Sequence, residues 1–202
     1  MKKKWIIALT CFLAIFLVRS AVDAANSDYV SGSWDMSDTT SLGVAVGPSM
    51  SNYLSSFKSW YSSWNGVSSK VGLNQPYEQS SLDQTPHFAR INIIGKNLGA
   101  TGSWGETCNY KYSVILGYTC DWNGSWKDSI IKINTNTDSK TRVGYSFLSS
   151  DLRKKVFLHE LGHSWGLDHP TTTSNAIMKQ GDNGYYTIQT YDKNNIKAKY
   201  GK

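Results

Sequence analysis

Three of the chain's four histidines crowd into eleven residues, His159-Glu160-Leu161-Gly162-His163-Ser164-Trp165-Gly166-Leu167-Asp168-His169. On a helix, positions i and i+4 share a face, so His159 and His163 can grip one ion together. Glu160, beside the first ligand, stands where a general base for water at that ion must stand. Three protein nitrogens leave a zinc ion an open fourth position, where the pKa of water falls to about 7. His169 reaches the same ion only if the helix stops and the chain turns back. Gly166 accepts the left-handed backbone that such a turn needs. A bare His-x-x-x-His would describe a core helix equally well. Five specified positions on a capped helix make a zinc-dependent hydrolytic site the stronger reading.

The elements that must position these residues follow from pattern. Ser149-Ser150-Asp151 is helix-start chemistry, so the histidine helix runs from there to about Trp165. Earlier, Leu42–Val46 reads as a strand, and Tyr53, Leu54, Phe57, Trp60, Tyr61 and Trp64 fall at helical spacing. Strands are expected over Phe88–Ile94 and Ser129–Asn134, an edge strand over Leu98–Thr101, and a last helix over Thr190–Tyr200. Residues 68–86 read as a loop, and residues 105–126 hold both cysteines and several turn signals. The order predicts one α+β domain over residues 42–202, with residues 25–41 a segment of unclear role.

The N-terminus is built for export. Three lysines, Lys2 to Lys4, precede an apolar run from Trp5 to Val18, and Val22-Asp23-Ala24 offers a cleavage site after Ala24. Residues 1–24 are therefore expected to be a signal peptide, the run being short of the roughly 20 residues that span a bilayer. Its loss removes Lys2, Lys3, Lys4, Arg19 and Asp23, so the net charge falls from +6 to +3. No basic stripe remains that would read as a nucleic-acid surface. The secreted chain keeps Cys108 and Cys120, and an oxidising compartment makes a disulfide between them the natural expectation.

Beyond the histidine motif, the sequence resembles the metzincin zinc peptidases, and within them it is most similar to the matrixins, in a small bacterial form. The resemblance spans residues 40–202. It is strongest over 159–169, and it implies a methionine beneath the metal, supplied by Asn175-Ala176-Ile177-Met178. Thr190-Tyr191-Asp192-Lys193 through Ile196 to Tyr200-Gly201 is similar to the closing helix of matrixins. Leu98-Gly99-Ala100-Thr101 followed by Ile131-Lys132-Ile133-Asn134 resembles their edge strand and its successor. The fold implied is a twisted mixed sheet with a long active-site helix and a C-terminal helix. The implied substrate path pairs an extended peptide with Gly99, Ala100 and Thr101, against a wall formed by Lys179–Tyr186. The sequence departs from the family in three respects. It has no second histidine cluster for a structural zinc, His87 being a loop residue. It has Gln180 where some members place a tyrosine ligand, and it lacks a cysteine-switch motif. If the chain is latent, Asp28, Asp35 or Asp38 is left to cap the zinc.

The function expected is that of a secreted zinc endopeptidase. One catalytic zinc would be held by His159, His163 and His169, with Glu160 as general base and Gly166 and Met178 shaping the site. Its partners would be protein or peptide substrates, with bacterial wall peptides a variant of these. The secreted chain would be a monomer free of nucleic acid and membrane. Asp121, Asp128, Asp138 and Asp182 form no spaced acidic loop, leaving calcium an unsupported option. The competing reading is a secreted aromatic-rich binding module with an idle zinc site. Its basis is the tryptophans, whose bland explanation is core packing.

Overall fold

A computed structural model describes residues 28–171 and 175–201; the export segment expected over residues 1–24 lies outside them. The strands are β1 (Ser33–Trp34), β2 (Val44–Val46), β3 (Tyr77–Glu78), β4 (Ile91–Lys96), β5 (Gly105–Ser113), β6 (Gly117–Cys120), β7 (Ser125–Trp126) and β8 (Asp128–Asn134). The helices are α1 (Leu54–Trp60), α2 (Ser150–Ser164) and α3 (Thr190–Tyr200). Six strands form one mixed sheet in the order β3-β2-β4-β8-β5-β6. The first four run parallel, β5 is antiparallel to β8, and β6 is antiparallel to β5.

The period of two in β4 and β8 divides their side chains between two faces. Ile91, Ile93, Ile131 and Ile133 turn to the main core, where Phe57, Trp64, Phe157, Leu158 and Leu161 cover them; Ile94 and Ile130 join a smaller cluster on the other side. The stretch expected as one helix from Tyr53 is instead α1 flanked by two 3-10 segments, Pro48–Tyr53 and Tyr61–Trp64. Pro48 fixes a helical φ at the entry of the first.

Two expectations need correcting. The strand placed at Phe88–Ile94 begins at Ile91, because Asn92 Oδ1 accepts the backbone N–H groups of Phe88 and Ala89 and holds them in a bend. Leu98–Thr101 is no strand. Gly99 and Gly102 sit at φ +69° and +79°, a left-handed backbone that cannot extend, so Gly99 and Ala100 lie in an irregular bend. The antiparallel strand beside the helix is β5, in the stretch that showed only cysteines and turn signals.

Residues 28–41 are built into the same unit. Tyr29 bridges Leu167, β1 pairs with β7, and Trp34 packs edge-on against Trp126 and Trp165 in the main core. Cys108 and Cys120 form the expected disulfide, tying β5 to β6. No helix among the described residues is long and apolar enough to cross a membrane.

Candidate metal centre

Helix α2 carries the first two histidines, and its ends are specified locally. Ser149 Oγ accepts the N–H of Leu152 at the start. At the end, Gly166 N–H donates to His163 O and Leu167 N–H to Gly162 O, the pair of bonds that closes a helix on a left-handed glycine. Gly166 has φ +78°, and a Cβ there would meet the Trp126 ring at 2.6 Å. The chain is then drawn back by Val30 N–H donating to Gly166 O and Asp168 N–H donating to Asp28 O, which carries His169 over the helix face.

The Nε2 atoms of His159, His163 and His169 converge to 3.1–3.2 Å of one another. Among the described residues they form the one group of three or more His, Cys, Asp or Glu side chains close enough to hold an ion. Nδ1 of His159 lies 2.9 Å from Ile177 O and Nδ1 of His163 lies 2.8 Å from Leu167 O. A carbonyl only accepts, so both Nδ1 atoms carry the proton, and each neutral ring turns a lone pair inward. Burial pushes all three histidines below the usual range, His159 far below it and His163 to about 4. Two inward lone pairs therefore meet the Nε2 of His169 at a spacing that suits a cation among them. Zinc–nitrogen bonds of about 2.0–2.1 Å in tetrahedral array would place such nitrogens roughly 3.4 Å apart. The cluster is close to that spacing, and the carbonyl bonds at the far side of two rings orient ligands as metal sites do.

Glu160 is also buried. Thr107 Oγ1 on β5 donates to its Oε2 at 2.6 Å, and a Cβ on Gly105 would come within 2.9 Å of its Oε1. Without a cation, burial raises the Glu160 carboxyl to about 7, opposed by the Thr107 bond. Asn109 Nδ2 donates to His163 O, and the Ser129 and Ser164 hydroxyls lie 2.8 Å apart, so polar bonds fasten α2 to the sheet.

Met178 is buried against the same helix, and a Cβ on Gly162 would strike its sulfur at 2.3 Å. Its turn is held from α3: the Asp192 carboxylate accepts the N–H groups of Ile177, Met178 and Gln189. Asp192 thereby fixes the carbonyl that orients His159.

A cleft of about 700 Å³ opens over the histidines, lined also by Thr101, Trp104, Gly105, Thr107, Trp122, Lys155, Lys179, Gln180 and Gly181. Of the three residues expected to pair with substrate, only Thr101 lies there, while Gly99 and Ala100 do not line it; of the expected wall, Lys179, Gln180 and Gly181 do. The edge that borders the cleft is the first half of β5, since β6 pairs only with Tyr110–Ser113. Trp104 O accepts from Asn134 N, so the alternation of an antiparallel ladder turns the backbone groups of Gly105 and Thr107 away from β8. Asp28, Asp35 and Asp38 do not line the cleft. Tyr191 donates to Asp28, Arg90 and Lys127 pair with Asp35, and Thr40 donates to Asp38. Asp121, Asp128, Asp138 and Asp182 are engaged separately, by Lys111, His87, the Lys140 N–H and the Gly184 N–H respectively.

Thr107, Asn109, Trp122 and Asp192 were not singled out for the site by the sequence. They are scattered polar or aromatic residues, and only the pairing of β5 with β8 brings the first two onto α2. No protein-family model matches the chain, and no curated protein matches it.

Proposed function

We propose that the chain is a secreted zinc endopeptidase of the metzincin type, closest in plan to the matrixins. The observation that carries the proposal is the convergence of three neutral Nε2 atoms in a cleft that also holds the Glu160 carboxylate and an open strand edge. The matrixin-like plan is supported by the antiparallel strand along the cleft, the Met178 turn beneath the histidines and the closing helix whose Asp192 holds that turn.

His159, His163 and His169 would hold the ion. When bound, zinc supplies Lewis acidity toward a carbonyl and lowers the pKa of water to about 7. Thr107 occupies Oε2 of Glu160, which leaves Oε1 to take the proton from the attacking water and hand it to the leaving amine. An extended peptide would add to the β5 edge through the backbone of Gly105 and Thr107, with side chains received by the wall at Lys179–Gly181. Lys155 steadies that wall by donating to Gly181 O and to Asn183 Oδ1.

Trp104 and Trp122 in the cleft give the binding-module reading its one foothold. Trp34, Trp64, Trp126 and Trp165 are core residues. The deciding experiment incubates the purified chain from residue 25 onward with unfolded casein, with and without a zinc chelator, while bound metal is measured. Hydrolysis that chelation stops and zinc restores is the expected result. Bound zinc without hydrolysis of casein or of wall peptides would favour the binding module, and no bound metal would end both readings.

A further inference from the structure

The most exposed large apolar residues among the described residues are consecutive. Val114, Ile115 and Leu116 are 92%, 92% and 71% exposed, at the tip of the β5–β6 hairpin. Five of the seven large exposed apolar or aromatic side chains among the described residues belong to this hairpin. The tip is not slack. Ser113 Oγ accepts the N–H of Leu116, and Gly117 takes the left-handed turn at φ +67°. Below it the strands pair in register, Ser113 with Gly117 and Tyr112 with Tyr118. The Cys108–Cys120 disulfide ties the base, and His87 stacks on Tyr118 at 3.7 Å while bonding to Asp128. The fold thus holds out three aliphatic side chains on a braced stalk, and none of the described residues covers them.

We propose that this tip is an anchor for the interfacial layer of a lipid bilayer. Residue types change along the hairpin as the layers of a bilayer change with depth. The tip is aliphatic, the next pair is Tyr112 and Tyr118, and the pair after that is Lys111 and Thr119, with Lys111 held by Asp121. Aliphatic chains suit the acyl boundary and tyrosines the headgroup level. Size and shape argue against a protein partner. A stable protein interface buries about 1,200 Å² or more of matching surface, whereas three aliphatic side chains on a convex point offer roughly a few hundred. A fluid lipid surface needs no matching recess. So small an apolar area gives reversible attachment, favoured further by anionic lipid because the secreted chain carries net positive charge.

The proposal is independent of peptidase activity, and its test uses the zinc-loaded chain from residue 25 onward. Flotation with phosphatidylcholine vesicles, with and without added phosphatidylglycerol, is compared for the wild type and a Val114→Ser/Ile115→Ser/Leu116→Ser variant. The wild type should float with the vesicles, more so with phosphatidylglycerol, and the variant should bind at least ten-fold more weakly with unchanged melting temperature and zinc content. A fluorophore on Leu116→Cys should brighten on vesicle addition. A wild type that stays in the soluble fraction with both vesicle types overturns the proposal, as does a variant that floats equally well. A wild type that is dimeric where the variant is monomeric also overturns it, and assigns the tip to contact between copies.

Discussion

Thr107 Oγ1 donates to Glu160 Oε2 across 2.6 Å, joining β5 to the residue that follows His159. The bond fixes one carboxylate oxygen, and on the proposed mechanism the other would handle protons. Thr107→Val keeps the shape and removes the donor. It should lower kcat about ten-fold with little change in KM, since a neutral-to-charged hydrogen bond contributes about 1.5–3 kcal/mol. Glu160→Gln should lower kcat by about 10² to 10⁴ while zinc stays bound at one per chain. Steady-state kinetics with metal analysis checks both, and near-normal turnover by Glu160→Gln would remove Glu160 from the mechanism.

The Asp192 carboxylate is a relay between α3 and the metal centre. It holds the N–H groups of Ile177 and Met178, and the Ile177 carbonyl takes the Nδ1 proton of His159. Partners one bond removed from a ligand typically change metal affinity by about 10- to 100-fold. Asp192→Asn should therefore weaken zinc binding by about that factor while the far-UV spectrum stays unchanged. Competition with a zinc indicator measures it, and unaltered affinity would show that the turn holds itself.

Acid should act on the metal-free protein over a defined window. His163 has an ordinary value of 6.5 that burial lowers to about 4 in the folded chain, and His159 is displaced in the same direction. Between these limits the unfolded chain takes up protons that the folded chain refuses. The histidines' contribution to stability is therefore full above pH 6.5 and falls as the pH drops toward 4, opposed by Glu160, whose raised carboxyl is protonated in the folded chain before the unfolded one. Bound zinc occupies the same lone pairs and adds its binding energy to the folded state. Between pH 7 and pH 5 the melting temperature of the zinc-loaded protein should fall at least as much as that of the chelated one, because a loaded site takes up no protons on these rings while the unfolded chain does. A chelated protein whose melting temperature does not fall over this interval would mean that the histidines do not govern the acid transition.

Residues 28–32 hold the loop that carries His169. Val30 N–H donates to Gly166 O, Asp28 O accepts the Asp168 N–H, and Lys199 Nζ donates to the carbonyls of Val30 and Gly32. A chain starting at Ser33 should lose about ten-fold in zinc affinity and a few degrees in melting temperature. Its activity should fall. A rise in activity on trimming would instead restore the idea that this segment suppresses the enzyme.

The parts of the molecule that were legible in the sequence are those whose cause is local. Helix α2 announces itself by a serine cap, a glycine stop and three histidines whose spacing matches one turn and a reversal. Strand β8 and helix α3 were readable for similar reasons, the one from its isoleucines and the other from its helical run ending at Gly201. Strand β5 was not, because its inward side chains at 107 and 109 are threonine and asparagine. They face α2 to bond Glu160 and His163, so the apolar alternation that marks a strand is missing exactly where the site requires polar groups. The apolar pattern instead places the edge at Leu98–Thr101, where left-handed Gly99, with Gly102 just beyond it, forbids a strand. The role of residues 28–34 was hidden for another reason: their partners lie about 90 to 170 residues away in the chain, and no local pattern records such pairing.

That all three ligands lie within eleven residues of α2 and its closing turn also bears on how the chain folds. Joining His159 to His169 closes a very short loop, so it costs little chain entropy and can occur before the sheet assembles. Zinc offered during refolding would find its ligands at the end of a single nascent helix and could template the reversal at Gly166 early. The strands, whose neighbours are distant in sequence, would then condense onto a helix whose C-terminal end is already fixed.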